Sequence, residues 1–397
     1  MNISRVRSLS LLAACVALTI LGAACGSKAV APSTPTGSSA ATTTPAASPT
    51  SPPSATATAP GQPSIGTVPA GFKATSVTFV SPSEAFVLGT ASGQGTLVVH
   101  TLDRGRTWSR LNAPAVPLGR PLFGKAHAAW GIRFASPAHG FIFGRGLWET
   151  TDGGLRWTAA AAPAGQILSL ATIDGEVMAL VAKSDASANL LRRPLAGGTW
   201  SEISAVKADV YPDPTDLIST QAGTAAVLDG TTVLVTTNGG VTVARRATPS
   251  VPGYEPGWIG ATSSHTLALL LVGQGYTGHT DKRVATSSDL GRHWRIVGKP
   301  PSEGDAGVLA GGTPTSLILA TASAASWLDR SVDSGVTWKT QATYDDGGVG
   351  WADLGFTTAK DAVVVHGPAD TAGNSYGRPG QLILSSDGGA TWRAVTF

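Results

Sequence analysis

Ser385-Ser386-Asp387-Gly388-Gly389-Ala390-Thr391-Trp392 is the stretch on which the reading of this chain turns, because four more copies of its pattern lie upstream. They are Thr101-Leu102-Asp103-Arg104-Gly105-Arg106-Thr107-Trp108, Thr150-Thr151-Asp152-Gly153-Gly154-Leu155-Arg156-Trp157, Ser287-Ser288-Asp289-Leu290-Gly291-Arg292-His293-Trp294 and Ser331-Val332-Asp333-Ser334-Gly335-Val336-Thr337-Trp338. All fit S/T-x-D-x-G-x-x-W. Two worn copies fill the gaps: Thr236 to Val243, with Asn238 for Asp and Val243 for Trp, and Arg193 to Trp200, which keeps Gly197, Thr199 and Trp200. The seven centres, at 103, 152, 195, 238, 289, 333 and 387, lie 43 to 54 residues apart, a spacing that means stacked units of one architecture.

Each residue type in the pattern has work in a tight turn. Gly takes a positive φ without steric cost. Asp accepts backbone N–H bonds across the turn, and Ser or Thr adds a local hydrogen bond. Trp anchors the strand that follows. Apolar, β-branched strands such as Thr96 to His100 and Gln381 to Leu384 precede the turns, and short strands such as Trp108 to Leu111 follow them. An earlier half precedes each pair, as in Val77 to Pro82 leading to Ala85 to Gly89, or Ile132 to Pro137 leading to Gly140 to Gly144. Four strands per unit, repeated seven times, predict an all-β, seven-bladed β-propeller of four-stranded antiparallel blades over 67–397. Blades 1 and 7 each supply four strands of their own, leaving Pro63 to Pro69 as the candidate for any additional closing strand.

The N-terminal part reads differently. Residues 1–25 combine Arg5 and Arg7 with an apolar run, Leu11 to Ala24, too short to cross a bilayer at ~20 residues. It ends Leu21-Gly22-Ala23-Ala24-Cys25. This resembles a bacterial lipoprotein signal, with Gly22 standing where that family usually has Leu. The resemblance implies cleavage before Cys25, acylation of Cys25 and an extracytoplasmic protein anchored to the membrane; ordinary secretion is the alternative. Residues 26–66, almost wholly Ala, Pro, Ser, Thr and Gly with no charge from Ala29 to Phe72, predict a disordered linker. Both cysteines, Cys15 and Cys25, lie in the targeting segment, so disulfides, thiol catalysis and cysteine metal sites are not expected downstream. The net charge is +3, falling to +1 without Arg5 and Arg7, with no basic run, which argues against nucleic acid. The seven His are scattered without metal-ligand spacing, and no cofactor is expected.

The repeated motif resembles the Asp-box (BNR) repeat of sialidases, xyloglucan-cleaving glucanases, sortilin-type receptors and photosystem assembly factors, over nearly all of 67–397. Those proteins do unrelated things, so the resemblance bears on fold rather than function. It implies that the motif turns face away from the ligand-binding mouth. Asp103, Asp152, Asp289, Asp333 and Asp387, with Trp108, Trp157, Trp294, Trp338 and Trp392, are then structural.

The opposite face is built by loops joining second to third strands and by links between blades, where binding groups collect on a rigid scaffold. All five tyrosines fall there: Tyr211, Tyr254, Tyr276, Tyr344 and Tyr376. The candidate ligand-binding residues are Tyr254, Tyr276, His279, Asp281, Arg283, Tyr344, Asp345, Tyr376 and Arg378, with Gly273 to Arg283 read as a long inner loop. Two functions compete. One is a non-catalytic cell-envelope binding or scaffold propeller, a monomer contacting a protein or glycan partner. The other is a glycoside hydrolase, with Asp213, Asp281, Asp345 and Asp370 as possible acids. A sialidase reads its substrate carboxylate with three Arg, the first before the first Asp-box, yet no Arg lies between Gly71 and Leu102. Binding is the favoured reading, without a catalytic residue.

Overall fold

A computed structural model describes residues 65–119, 129–184, 186–207, 217–219, 223–262, 265–305, 307–369 and 379–397. The calls on Cys25, the linker up to Ser64, Tyr211, Asp213, Asp370, Tyr376 and Arg378 lie outside them.

The described strands form seven four-stranded sheets, each built from four consecutive strands in simple up-and-down antiparallel order. Blades 1 to 7 span 73–111, 129–159, 166–206, 217–247, 255–298, 308–344 and 351–394. The first strand of each blade packs against the first strand of the next, and Trp351–Phe356 packs against Lys73–Phe79, closing a seven-bladed β-propeller with the first strands innermost.

Local composition explains the radial order. Second strands are covered on both faces by neighbouring blades, so Ala85–Thr90, Ala225–Asp229 and Ala362–His366 are buried at every position. Fourth strands are largely exposed, and Ala244–Ala247 (Ala-Arg-Arg-Ala) is short and charged, which suits a sheet edge that must not pair with another chain.

The motif turns join third to fourth strands. In six of them the Ser or Thr hydroxyl oxygen accepts the N–H of the motif Gly at 2.7–3.0 Å. The following Asp accepts the N–H four residues on at 2.9 Å. Asn238 makes the same bond, from Thr242 at 2.9 Å, so the worn copy keeps the full lock. The motif Gly is left-handed in each, with φ from 72° to 88°. The motif Trp rings are half-buried wedges between blades: Trp157 and Trp294 donate to Asn112 and Ala247 of the preceding blade at 2.9 and 3.0 Å.

Blade 3 solves the turn differently. Arg193 stands where the hydroxyl should be, and its buried guanidinium pairs with Glu149 of blade 2 at 2.9 Å. It also lies 5.5 Å from Phe141 and 5.3 Å from Trp200, while Trp200 donates to Ala161 at 2.9 Å. An ion pair between blades replaces a hydrogen bond within one.

The motif carboxylates set an acid window. Hydrogen bonds from the Thr337 hydroxyl and N–H hold Asp333 down to about 2. Asp103 and Asp387 sit at about 2 as well, where bonds from Thr107 and Thr391 outweigh the opposing effect of burial. A lowered folded-state pKa gives stability that is present above the unfolded value near ~4 and lost as pH falls through the folded one. The melting temperature should therefore drop between pH ~4 and ~2. Asp333→Asn should make that drop shallower and change little at neutral pH, since Asn238 already serves in an equivalent turn. A scanning-calorimetry series across pH checks this; an unaltered acid limb in Asp333→Asn would contradict it.

Blades 7 and 1 meet without exchanging a strand. Ile65 and Gly66 instead bond to Arg110 at 2.9 Å, on the outer strand of blade 1, so these two residues extend that blade and do not complete blade 7. The seam is held by packing of Phe72, Val87, Leu97 and Val99 against Val363, Val365, Leu382 and Leu384. Phe397 lies 4.6 Å from Phe72 and 5.0 Å from Trp108. Asp353, left-handed at φ 51°, accepts Val77 N–H at 2.8 Å and the Arg133 guanidinium at 2.9 Å. A residue of blade 7 is thus tied to blade 2 across blade 1.

Candidate functional site

Up-and-down order places the turns between first and second strands, and those between third and fourth, on one face. Second-to-third turns and blade links share the other, called the mouth here. Its best-formed feature rises from blade 5. The segment read as an inner loop is strand: Leu267–Tyr276 and His279–Ser287 pair beyond the body of the blade, to Tyr276 opposite His279. Its glycines and polar residues hide the strand in the sequence, since alternation from buried Val284 back through Lys282 and Thr280 is carried by no apolar side chain. Tyr276 ends its strand at 64 % exposure.

The hairpin is strapped down. Thr280 N–H donates to Ser302 at 2.9 Å and Gly304 N–H to Gly278 at 3.1 Å, on the link from blade 5 to blade 6. Beneath the strap lies Lys282, 0 % exposed. Its ammonium shares three N–H groups among four carbonyls, those of Thr280, Ser302 and Glu303 at 3.1 Å each and of Gly304 at 2.8 Å. Burial pulls its pKa down to about 8, so it stays charged at neutral pH.

On the other side of the same strand, Asp281 gathers three candidates. It accepts the Tyr254 hydroxyl and pairs with Lys299 at 2.5 Å. The Arg283 guanidinium sits 5.3 Å from the Tyr254 ring centroid. Gly273 makes room: a Cβ there would fall 2.8 Å from the Tyr254 ring. The Lys299 and Tyr254 hydrogen bonds lower the Asp281 pKa, the reverse of what a general acid requires.

The remaining candidates divide. Tyr344 ends the strand Lys339–Tyr344 and is half-buried between blades, 5.7 Å from Trp351 and 4.5 Å from His366, and burial raises its pKa. Asp345 is exposed, whereas its neighbour Asp346 holds the link by bonding His366, Ser326 at 3.1 Å and Gly348 N–H at 2.8 Å. The structure therefore brings Tyr254, Asp281 and Arg283 together, with Tyr276 and His279 at the hairpin tip. Lys299 and Lys282 complete the arrangement, while Asp346 stays with Ser326 and His366 of blades 6 and 7. Lys299 lies in a link with no pattern to mark it; Lys282 was legible only by counting alternation back from Val284.

Comparison with solved structures supports the fold. YCF48 bound to D1 peptide is similar at 17% identity, covering 84% of this chain and 96% of that one, with a TM-score of 0.51. YCF48 from Cyanidioschyzon merolae is similar at 14% identity, over 81% and 94%, with a TM-score of 0.53. The WD40 repeats of RRP9 are similar at 11% identity, over 80% and 94%, with a TM-score of 0.52. No family model matches the chain. No curated protein matches it.

Proposed function

We propose that this chain is a non-catalytic scaffold propeller of the Asp-box type, lipid-anchored outside the cell through Cys25, whose mouth binds a segment of a protein partner around the blade 5 hairpin. The supporting observation is pre-organisation: an exposed Tyr276 on a hairpin tied at its base by Lys282, beside a fixed Tyr254–Asp281–Lys299 cluster. Rigid aromatic area with flanking charge is what a binding surface uses, because little ordering entropy is lost on contact. A propeller of this fold, YCF48, has been solved with a peptide bound, so the fold admits such a partner. Asp281 does not supply the general acid a hydrolase needs, because its pKa is lowered and both its oxygens are engaged by Tyr254 and Lys299.

Crosslinking in native membranes, followed by identification of co-purified protein, tests this reading. Tyr276→Ala combined with Lys299→Ala should weaken capture by roughly 30-fold, the loss of ~2 kcal/mol typical of an anchor residue, at an unchanged melting temperature. Cys25→Ser should release the protein from the membrane fraction. Capture that survives the double variant, or glycoside turnover that requires Asp281, would overturn the proposal.

A further inference from the structure

A second feature lies on the opposite face, at the seam of blades 7 and 1, where a cleft of about 340 Å³ opens between the motif turn of blade 1 and the lower end of blade 7. Arg104, Arg106 and Arg393 line it, and all three are exposed. The lining carboxylate is Asp361, whose Oδ2 already accepts the Thr358 hydroxyl at 2.7 Å. No ion pair reaches these three guanidiniums among the described residues; Arg393 is positioned by donating to the Arg104 carbonyl at 3.4 Å. Three guanidiniums against one carboxylate leave two positive charges at a cleft whose walls include Phe79 and Leu384.

Backbone conformation sets how one of these guanidiniums is presented. The fourth residue of the motif turn is left-handed in all six regular turns, glycine at Gly153, Gly239 and Gly388 and otherwise Arg104, Leu290 and Ser334. Arg104, at φ 63°, is held there by its N–H, which donates to the Ser83 carbonyl at 3.0 Å and fixes where the exposed side chain leaves the turn.

We propose that this cleft binds a small organic oxyanion of about two negative charges with an apolar body. Guanidinium forks match the geometry of phosphate and carboxylate alike. The cleft lies at the small end of the ~300–1,000 Å³ usual for ligand sites, which suits one ring or a short chain. This site is on the face away from the hairpin and does not depend on the reading given for the mouth.

Calorimetric titration of the purified propeller at low salt with phenyl phosphate, inorganic phosphate and succinate tests it. Phenyl phosphate should bind saturably and more tightly than inorganic phosphate. Binding of succinate in its place would assign the site to carboxylates. Arg393→Gln should weaken the bound probe at least about tenfold. Arg104→Gly should do the same while holding or raising the melting temperature, since glycine relieves the left-handed strain. Absence of saturable binding of all three probes at millimolar concentration, or binding unchanged in both variants, would overturn the proposal.

Discussion

A chain ending at Asp346 should give no cooperative thermal transition. Removing blade 7 strips Val363, Val365, Leu382 and Leu384 from the facing side chains Phe72, Val87, Leu97 and Val99 of blade 1. At ~1.5–3 kcal/mol for each large apolar side chain returned to water, the loss is on the order of 10 kcal/mol or more, comparable with the whole stability of a typical domain, ~5–15 kcal/mol. Arg133, on the innermost strand of blade 2, would also lose Asp353 as a partner for its guanidinium. Near-UV circular dichroism and calorimetry of the truncated chain measure the effect. A soluble fragment with a sharp transition would show that six blades suffice.

Lys282→Met should cost ~2–4 kcal/mol and lower the melting temperature by several degrees. Methionine fills the volume of the stem but offers no donor to the four carbonyls that the ammonium satisfies. Two of them keep another donor, Ser302 from Thr280 N–H and Glu303 from the Thr321 hydroxyl at 3.2 Å, so the cost falls short of four orphaned acceptors. Hydrogen exchange should quicken at the Thr280 and Gly304 amides, which tie the hairpin to the link. Partner capture should weaken with it, although Lys282 is wholly buried and touches no partner. A melting temperature within about 1 °C of the parent, with protected amides, would show that the cage does not hold the strap.

The blade count was legible because the turn is chemically demanding: a left-handed Gly, an Asp acceptor and a hydroxyl leave few substitutes, and Asn238 is one that keeps the geometry. Blade 3 shows the limit. Its turn lock was replaced by Arg193 reaching Glu149, a partner 44 residues away on another blade, which no local pattern reveals. The mouth was legible as a face but not as a shape. Tyr276 and Tyr344 both end strands there, yet one stands in solvent and the other fills a gap between blades, because exposure is decided by Trp351 and His366 of the adjoining blade. Asp345 and Asp346 were indistinguishable in sequence for the same reason. Contacts such as Arg133 with Asp353, 220 residues apart, belong to ring closure and to no segment of the chain.

Because every sheet is made of consecutive strands, no blade borrows a strand from the far end of the chain. The order of blades around the ring is therefore separable from the point at which the polypeptide starts. A circular permutant opened in the link near Pro163, with residue 397 joined through a short flexible linker to residue 65, keeps all seven hydrogen-bonded ladders intact. Both limits of the described propeller already converge on blade 1, where Ile65 bonds Arg110 and Phe397 packs on Phe72 and Trp108. Such a rearranged chain would start and stop on a different blade, so the blade to which any fused segment is attached becomes a variable set by connectivity alone.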